Sequence, residues 1–240
     1  MKYVAKVAYD GTDYHGFQAQ PNVKTVQGMI ERGFRLMTQT DIKIHASGRT
    51  DSGVHAKGQV FHFDSNLDLT EETWVKGVNR RLPLDIRIIS IKKAKKGFHA
   101  RHSAKAKTYE YIIAKQPSTP FSQRHEVYIE NFKIEPVKNA VSLLQGTHDF
   151  RGFCKYVKDK PTVKTIYSVK IKETKKHYKI IFHGNSFLKY MVRSIVGTLI
   201  DIGKGLKNET IITKILTTQD RLLASKTAEA RGLFLVKVEY

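Results

Sequence analysis

A carboxylate bracketed by two glycines marks the most chemically suggestive stretch of the chain, His45-Ala46-Ser47-Gly48-Arg49-Thr50-Asp51-Ser52-Gly53-Val54-His55-Ala56. Lys43-Ile44-His45 reads as the end of a strand and Gly58-Gln59-Val60-Phe61-His62-Phe63 alternates like the next one, so Asp51 falls on the connecting loop. Gly48 and Gly53 permit positive backbone dihedrals or the close approach of a large ligand, and a loop above a rigid sheet can present an acidic side chain. Such a carboxylate could serve as a nucleophile. The same spacing also fits an ordinary turn in which the aspartate caps its own backbone, so the loop by itself does not separate the two.

Two further side chains join it as candidates. In the helix expected from Ser186 to Ile202, Arg193 has Lys189 and Tyr190 one turn behind and Val196 and Gly197 one turn ahead. A guanidinium in such apolar company either snorkels to solvent or seeks a carboxylate, because an unpaired buried charge is costly. Asp51 is the expected partner, and pairing would keep it ionised. Gly197 would let a neighbouring segment pass close to the helix. Tyr109 lies on an alternating strand entered through Arg101, Lys105 and Lys107; its periodicity alone reads as an ordinary core tyrosine. Other chemistries find little support. The ten histidines include no H-E-x-x-H pair, no phosphate-binding or dinucleotide glycine motif is present, and no tight Asp/Glu cluster argues for magnesium. Cys154, the single cysteine, can form neither an internal disulfide nor a cysteine-rich metal site. A reaction without cofactor or metal is the simplest reading.

The elements that must position these groups repeat. Strand 3–9, helix 25–37, strands 41–45 and 59–63, helix 71–80 and strand 85–91 are followed by the same order: strand 107–113, helix 136–144, strands 163–171 and 178–182, helix 186–202 and strand 233–239. An extra helix, about Lys207 to Thr217, precedes the last strand. Two β-α-β-β-α-β units imply an α+β fold of two ferredoxin-like halves, residues 1–104 and 105–240, joined through a largely antiparallel sheet with helices on one face.

The charge balance points to a polyanion. The 240 residues carry 42 Lys and Arg against 22 Asp and Glu, a formal charge of +20, with 40% of the chain hydrophobic. Such an excess draws nucleic acid and makes its binding salt-dependent. An anionic membrane would be the competing surface, but no long apolar span, secretory leader or amphipathic anchor is evident, and a cytosolic setting is expected. Lys92, Lys93, Lys95, Lys96, Arg101, Lys105 and Lys107 form one basic run; Lys155, Lys158, Lys160 and Lys164 form another around Phe153 and Tyr156. Contacts from such runs would position RNA more than read its bases.

Read together, these segments resemble the tRNA pseudouridine synthase A family. The Gly48-Arg49-Thr50-Asp51-Ser52-Gly53-Val54-His55-Ala56 run is similar to the family's aspartate signature, and Tyr9-Asp10-Gly11-Thr12-Asp13-Tyr14-His15-Gly16-Phe17-Gln18-Ala19-Gln20 to its opening motif, with Phe17 where tryptophan is usual. Phe98-His99-Ala100-Arg101 with Lys107-Thr108-Tyr109-Glu110-Tyr111 resembles the segment of the active-site tyrosine, which falls on Tyr109. Phe187-Leu188-Lys189-Tyr190-Met191-Val192-Arg193-Ser194-Ile195-Val196-Gly197 resembles the helix whose arginine pairs with the catalytic carboxylate, and Gly232 to Tyr240 the closing strand. Glu229 stands where the family commonly has proline. The resemblance implies isomerisation of uridine to pseudouridine in the anticodon stem-loop of tRNA, with Asp51 catalytic, Tyr109 stacking on the target base and Arg193 aiming the aspartate; Arg49, beside Asp51, would either insert where a target base leaves the stack or hold its phosphate. It also implies a homodimer and no cofactor. A catalytically silent tRNA-binding protein accounts for the charge equally well, and a nuclease or glycosidase in which Asp51 activates water ranks lower, since no second carboxylate stands in support.

Overall fold

The computed structural model describes residues 1–158 and 160–240. In chain order its strands and α-helices are β1 (Lys2–Tyr9), α1 (Val26–Thr38), β2 (Ile44–Ala46), β3 (His55–Asp64), α2 (Glu71–Asn79), β4 (Ile86–Lys93), β5 (Ala106–Ala114), β6 (Val127–Tyr128), α3 (Ile134–Ala140), β7 (Gly146–Asp149), β8 (Val163–Glu173), β9 (His177–Gly184), α4 (Met191–Gly203), α5 (Ile211–Thr218) and β10 (Leu233–Glu239). The contacts divide the chain into two units, one of residues 1–105 with 234–240 and one of residues 106–233. Both are α+β with largely antiparallel pairing, as the alternating pattern implied.

In the first unit β1 is flanked by β4 and β3, both antiparallel to it, and β2 pairs with the far side of β3. The physical reason for this order lies in the sequence. β1 alternates buried Tyr3, Ala5, Val7 and Tyr9 with more accessible residues, whereas β3 is buried along almost its whole length, as an inner strand must be. Apolar rings bind the helices to this sheet: Tyr3 stacks on Phe63 at 5.3 Å, Phe34 of α1 lies 4.6 Å from Phe63, and Trp74 of α2 meets Phe63 edge-on at 5.4 Å. Thr25 and Thr70 cap α1 and α2 by accepting the backbone N–H of Gly28 and Thr73. β10 adds a parallel pairing to the start of β3, Phe234 opposite His55 and Leu235 opposite Ala56.

In the second unit β5 pairs with β9, β9 with β8 and β8 with β7, all antiparallel, while the short β6 runs parallel to β5. Tyr109, Tyr111 and Ile113 face the same side as Phe182 and Ile180 across the ladder. Helix α4 is buried along most of its length, with Ile195, Val196 and Leu199 fully enclosed.

Several boundaries depart from the sequence expectation. The helix expected from Ser186 starts at Met191, because Tyr190 takes a left-handed conformation at φ 65° and the preceding residues form a turn. β3 reaches back to His55, four residues before the expected start, since pairing with β10 extends it. The expected helix 136–144 divides into α3 and a tighter 3₁₀ turn at Val141–Leu144. β6 and β7 were not anticipated; at two and four residues they are too short for an alternating pattern. Among the described residues no helix is long and apolar enough to cross a membrane.

Candidate active site

In the first unit the segment between β2 and β3 is clamped on both sides of Asp51. Before it, the Ser47 hydroxyl donates to Gln59 Oε1 at 2.7 Å and Gln59 Nε2 donates to the Gly48 carbonyl at 3.0 Å. Thr50 is buried, its Oγ1 2.8 Å from the Tyr9 hydroxyl and its carbonyl accepting the Phe17 N–H at 3.2 Å. After it, the Tyr14 carbonyl accepts both the Ser52 hydroxyl at 3.0 Å and the Gly53 N–H at 3.3 Å. Gly53 takes the positive φ, 75°, that the sequence suggested for this position. Asp51 itself is half-buried and Arg49 exposed. Anchored neighbours around a partly accessible carboxylate give a preorganised loop rather than a mobile one.

Three of the clamping residues, Tyr9, Tyr14 and Phe17, come from the 9–20 motif, so two stretches distant in sequence meet here. Tyr14 is itself fixed, donating from its hydroxyl to Asp85 Oδ1 at 2.6 Å beneath the Lys24 ammonium 4.4 Å from its ring. Phe17 is only 1% exposed and lies 5.9 Å from Tyr9, so its ring fills core space. Burial raises the Tyr9 phenol far above its ordinary range, outweighing the hydrogen bonds from Thr50 and Gln59, and keeps it a neutral support for Thr50.

In the second unit Arg193 projects from the first turn of α4. Its Nε donates to the Ala228 carbonyl at 2.8 Å, and its own carbonyl accepts the Ala228 N–H at 3.0 Å. The crossing segment approaches so closely that a Cβ on Gly197 would lie 2.0 Å from the Lys226 carbonyl oxygen, the close passage expected of that glycine. The guanidinium is therefore oriented by backbone, with its carbon 5.6 Å from the Tyr190 ring centre. Tyr109 is buried and meets Phe187 edge-on at 5.1 Å. Tyr111, two residues on, donates from its hydroxyl to the Glu229 carbonyl at 3.0 Å, and its ring packs where Gly232 has no side chain. Burial raises its phenol well above the ordinary value, in keeping with a structural tyrosine.

The basic runs divide between the units. Lys92, Lys93, Lys95, Lys96, Arg101 and Lys105 lie exposed on the first unit, while Lys107 opens β5 of the second and is half-buried. Lys93 pairs with Asp68 at 2.7 Å, leaving it a weaker candidate for phosphate than Lys92. Lys155 and Lys158 are exposed on the second unit.

Two side-chain groupings escaped the sequence reading. In the first unit His45, His62 and His99 form a cluster with ring-centre separations of 5.0, 4.5 and 6.4 Å, extended by His102 at 4.3 Å from His99. In the second, a basin of about 540 Å³ gathers Arg151, Lys155, Tyr156, Tyr190 and Arg221. The histidines come from separate elements and leave no spacing to find; of the basin, Lys155 and Tyr156 already stood out as a basic run around an aromatic, while Tyr190 and Arg221 join them only through the fold.

Comparison with known proteins identifies the lineage. A family model described as tRNA pseudouridine synthase matches residues 5–103 and 140–240. The chain is 41% identical over 239 residues to "tRNA pseudouridine synthase A" of Oceanobacillus iheyensis, covering 98% of this chain and 94% of that one. The proteins of the same name from Geobacillus kaustophilus and Listeria innocua are each 42% identical, over 240 and 245 residues; the alignments cover 98% and 100% of this chain and 92% and 99% of theirs. With a family model matched across both units and relatives aligned over nearly their whole lengths, the chain belongs to the tRNA pseudouridine synthase A family.

Proposed function

We propose that the protein isomerises uridine to pseudouridine in tRNA, at the anticodon stem-loop, with Asp51 as the catalytic carboxylate. The observation that carries the reading is the family match spanning residues 5–103 and 140–240, within which the Asp51 loop is hydrogen-bonded to Tyr9 before the acid and to Tyr14 after it.

The target uridine must leave its stack, which is cheapest in a loop or at a stem edge. Arg49, exposed beside the anchored Thr50, holds the backbone or the gap where the base departs. Ionised Asp51 then acts either on C1′, by bonding or by stabilising it, or by adding to C6 of uracil. By either route the C1′–N1 bond breaks, the uracil turns within a closed pocket, and C1′ bonds to C5. The C5 proton is lost and N1 gains one, so the product is an isomer and neither oxidant nor group donor is consumed. Tyr109 stacks against the base and retains it during the turn, and Arg193 supplies the positive charge that keeps the carboxylate ionised. The basic residues Lys92, Lys95, Lys96, Arg101, Lys105, Lys107, Lys155 and Lys158 contact phosphates. The same reading makes the protein a cytosolic homodimer with tRNA spanning both subunits, which sedimentation with and without tRNA measures.

The deciding experiment incubates metal-free protein with unmodified tRNA and maps the modified uridines, for the natural chain and for Asp51→Asn. The expected result is pseudouridine in the anticodon stem-loop, with product abolished and tRNA binding largely retained in the variant. Substantial turnover by Asp51→Asn rejects the role of Asp51. Free uracil or shortened RNA as main product would reassign the chain as a hydrolase, and binding without any product as a silent tRNA-binding protein.

A further inference from the structure

We infer that the basin of the second unit is a binding subsite for one unpaired nucleotide of the tRNA, with the base stacked on the Arg151–Tyr156 pair and a phosphate held by Arg221 and Lys155. The inference rests on the proposed tRNA substrate and adds to it a second point of base capture.

Its lining combines aromatic rings with cationic side chains. The Arg151 guanidinium lies over the Tyr156 ring, 4.1 Å from its centre, and Tyr156 is 42% exposed. A guanidinium held over an aromatic ring can offer its outer face as a stacking plane, and bases stack on arginine planes and aromatic rings with little regard to sequence. Tyr190 supplies a second ring, flanked by the Lys189 ammonium at 5.2 Å. Its left-handed backbone, φ 65°, is unfavourable for a residue with a side chain, and such strain is retained where surrounding structure enforces it, often at ligand sites.

The charges are oriented but not neutralised. Arg221 donates to the Ala224 and Ser225 carbonyls at 3.3 and 3.4 Å and to the Ser194 and Thr227 hydroxyls at 3.5 and 3.4 Å. All four acceptors are uncharged, and all four bonds are long, so the guanidinium is aimed without being spent. Among the described residues no carboxylate lies within ion-pair distance of Arg151, Lys155 or Arg221. The lining acid, Asp220, turns its Oδ1 to the Leu222 N–H at 2.8 Å. Three cations against one such carboxylate suit a phosphate, which prefers charge-assisted hydrogen bonds.

Size and chemistry narrow the occupant. A volume of about 540 Å³ matches a single nucleotide and is too small for a duplex. The one thiol in the lining does not provide chemistry: Cys154 is buried, and burial raises its thiol, holding it in the unreactive form. The basin is thus built to hold rather than to react.

The test compares Tyr156→Ala, Tyr156→Phe and Arg151→Gln for affinity toward full-length unmodified tRNA across a salt series, and for kcat and KM of pseudouridine formation. Tyr156→Ala is expected to weaken tRNA binding about tenfold with unchanged salt slope, the scale of one lost base stack, and the loss appears in KM rather than kcat. Tyr156→Phe restores binding, since stacking needs the ring and not the hydroxyl. Arg151→Gln also weakens binding, since it removes the guanidinium plane on which the base stacks. Thermal melting checks that each variant is folded; should Tyr156→Ala fail to fold, Arg151→Gln decides. Natural affinity in both Tyr156→Ala and Arg151→Gln overturns the subsite, as does an equal loss in Tyr156→Phe and Tyr156→Ala. Affinity is read without turnover, so failure of the proposed isomerisation would show as tRNA bound and no product, whatever the variants do.

Discussion

At the scale of single residues the chemistry turns on charges that the fold holds in place. Arg193 is bound at Nε by the Ala228 carbonyl. Lysine at this position keeps the charge but cannot fill a planar fork, so Arg193→Lys is expected to retain a small fraction of activity and Arg193→Ala to lose about a hundredfold or more in kcat. Steady-state kinetics at saturating tRNA would measure both, and near-natural kcat in Arg193→Ala would reject a catalytic part for the guanidinium. His62 gives an acid-sensitivity. Burial first, then the neighbouring His99, His45 and Lys2, lower its imidazole to about 4 against the opposing pull of Asp64, and its Nδ1 accepts the Ala100 N–H at 3.2 Å. The unfolded chain binds a proton near the ordinary value while the folded chain refuses it until about 4. Stability from this site is therefore complete above the unfolded value and lost as pH falls below it. Urea unfolding at pH 7 and 5 should differ by about 1 kcal/mol from this source, and His62→Gln should flatten that part of the profile. An unchanged pH slope in His62→Gln would place the acid-sensitivity elsewhere. Individual candidates were readable in the sequence because their motifs are local; the Asp51 loop carries its glycines within two or three residues of the acid. Arg221 was not readable, since its acceptors come from α4 and a later turn and its own segment has no periodicity.

Among elements, α4 depends on a close crossing. Alanine at position 197 would gain about 1 kcal/mol in helix propensity. Its Cβ would also meet the Lys226 carbonyl oxygen at 2.0 Å, and a backbone oxygen cannot swing aside as a side chain can. Overpacking of this kind costs about 1–3 kcal/mol or more, so the clash outweighs the gain. Gly197→Ala should lower the melting temperature by several degrees. It should also reduce activity, because the displaced segment includes Ala228, the anchor of Arg193. A variant as stable and active as the natural chain would mean the segment yields freely. Long alternating strands and amphipathic helices were legible here: β1, α1, α2, β5 and β8 lie within a few residues of their expected places. The start of α4 was not. Nothing in Ser186 to Tyr190 breaks a helix by residue type, and only the left-handed turn at Tyr190 does so.

Over the whole molecule, the +20 charge sets how the protein meets its substrate. If six basic side chains displace counterions from tRNA, affinity should fall by roughly a thousandfold between 50 and 200 mM salt. Filter binding across that range measures the slope, and a flat response would deny the exposed lysines any part in binding. Lys93, engaged by Asp68, should contribute less to the slope than Lys92 when each is replaced by alanine. Sequence reading made 233–239 the closing strand of the second half, and the pairing of β10 with β3 was not visible there. In the structure it lies along β3, the Lys105 N–H reaches the Glu239 carbonyl at 2.8 Å, and the Tyr240 hydroxyl donates to the Ala100 carbonyl at 2.9 Å. During synthesis the ribosome makes the entire stretch 106–233 before it makes the strand that completes the unit begun at residue 1. The Asp51 loop therefore waits, on a sheet lacking its last member, until the intervening 106–233 have been translated, and pulse-chase proteolysis of the nascent chain should find the early unit cleavable until residues 234–240 emerge.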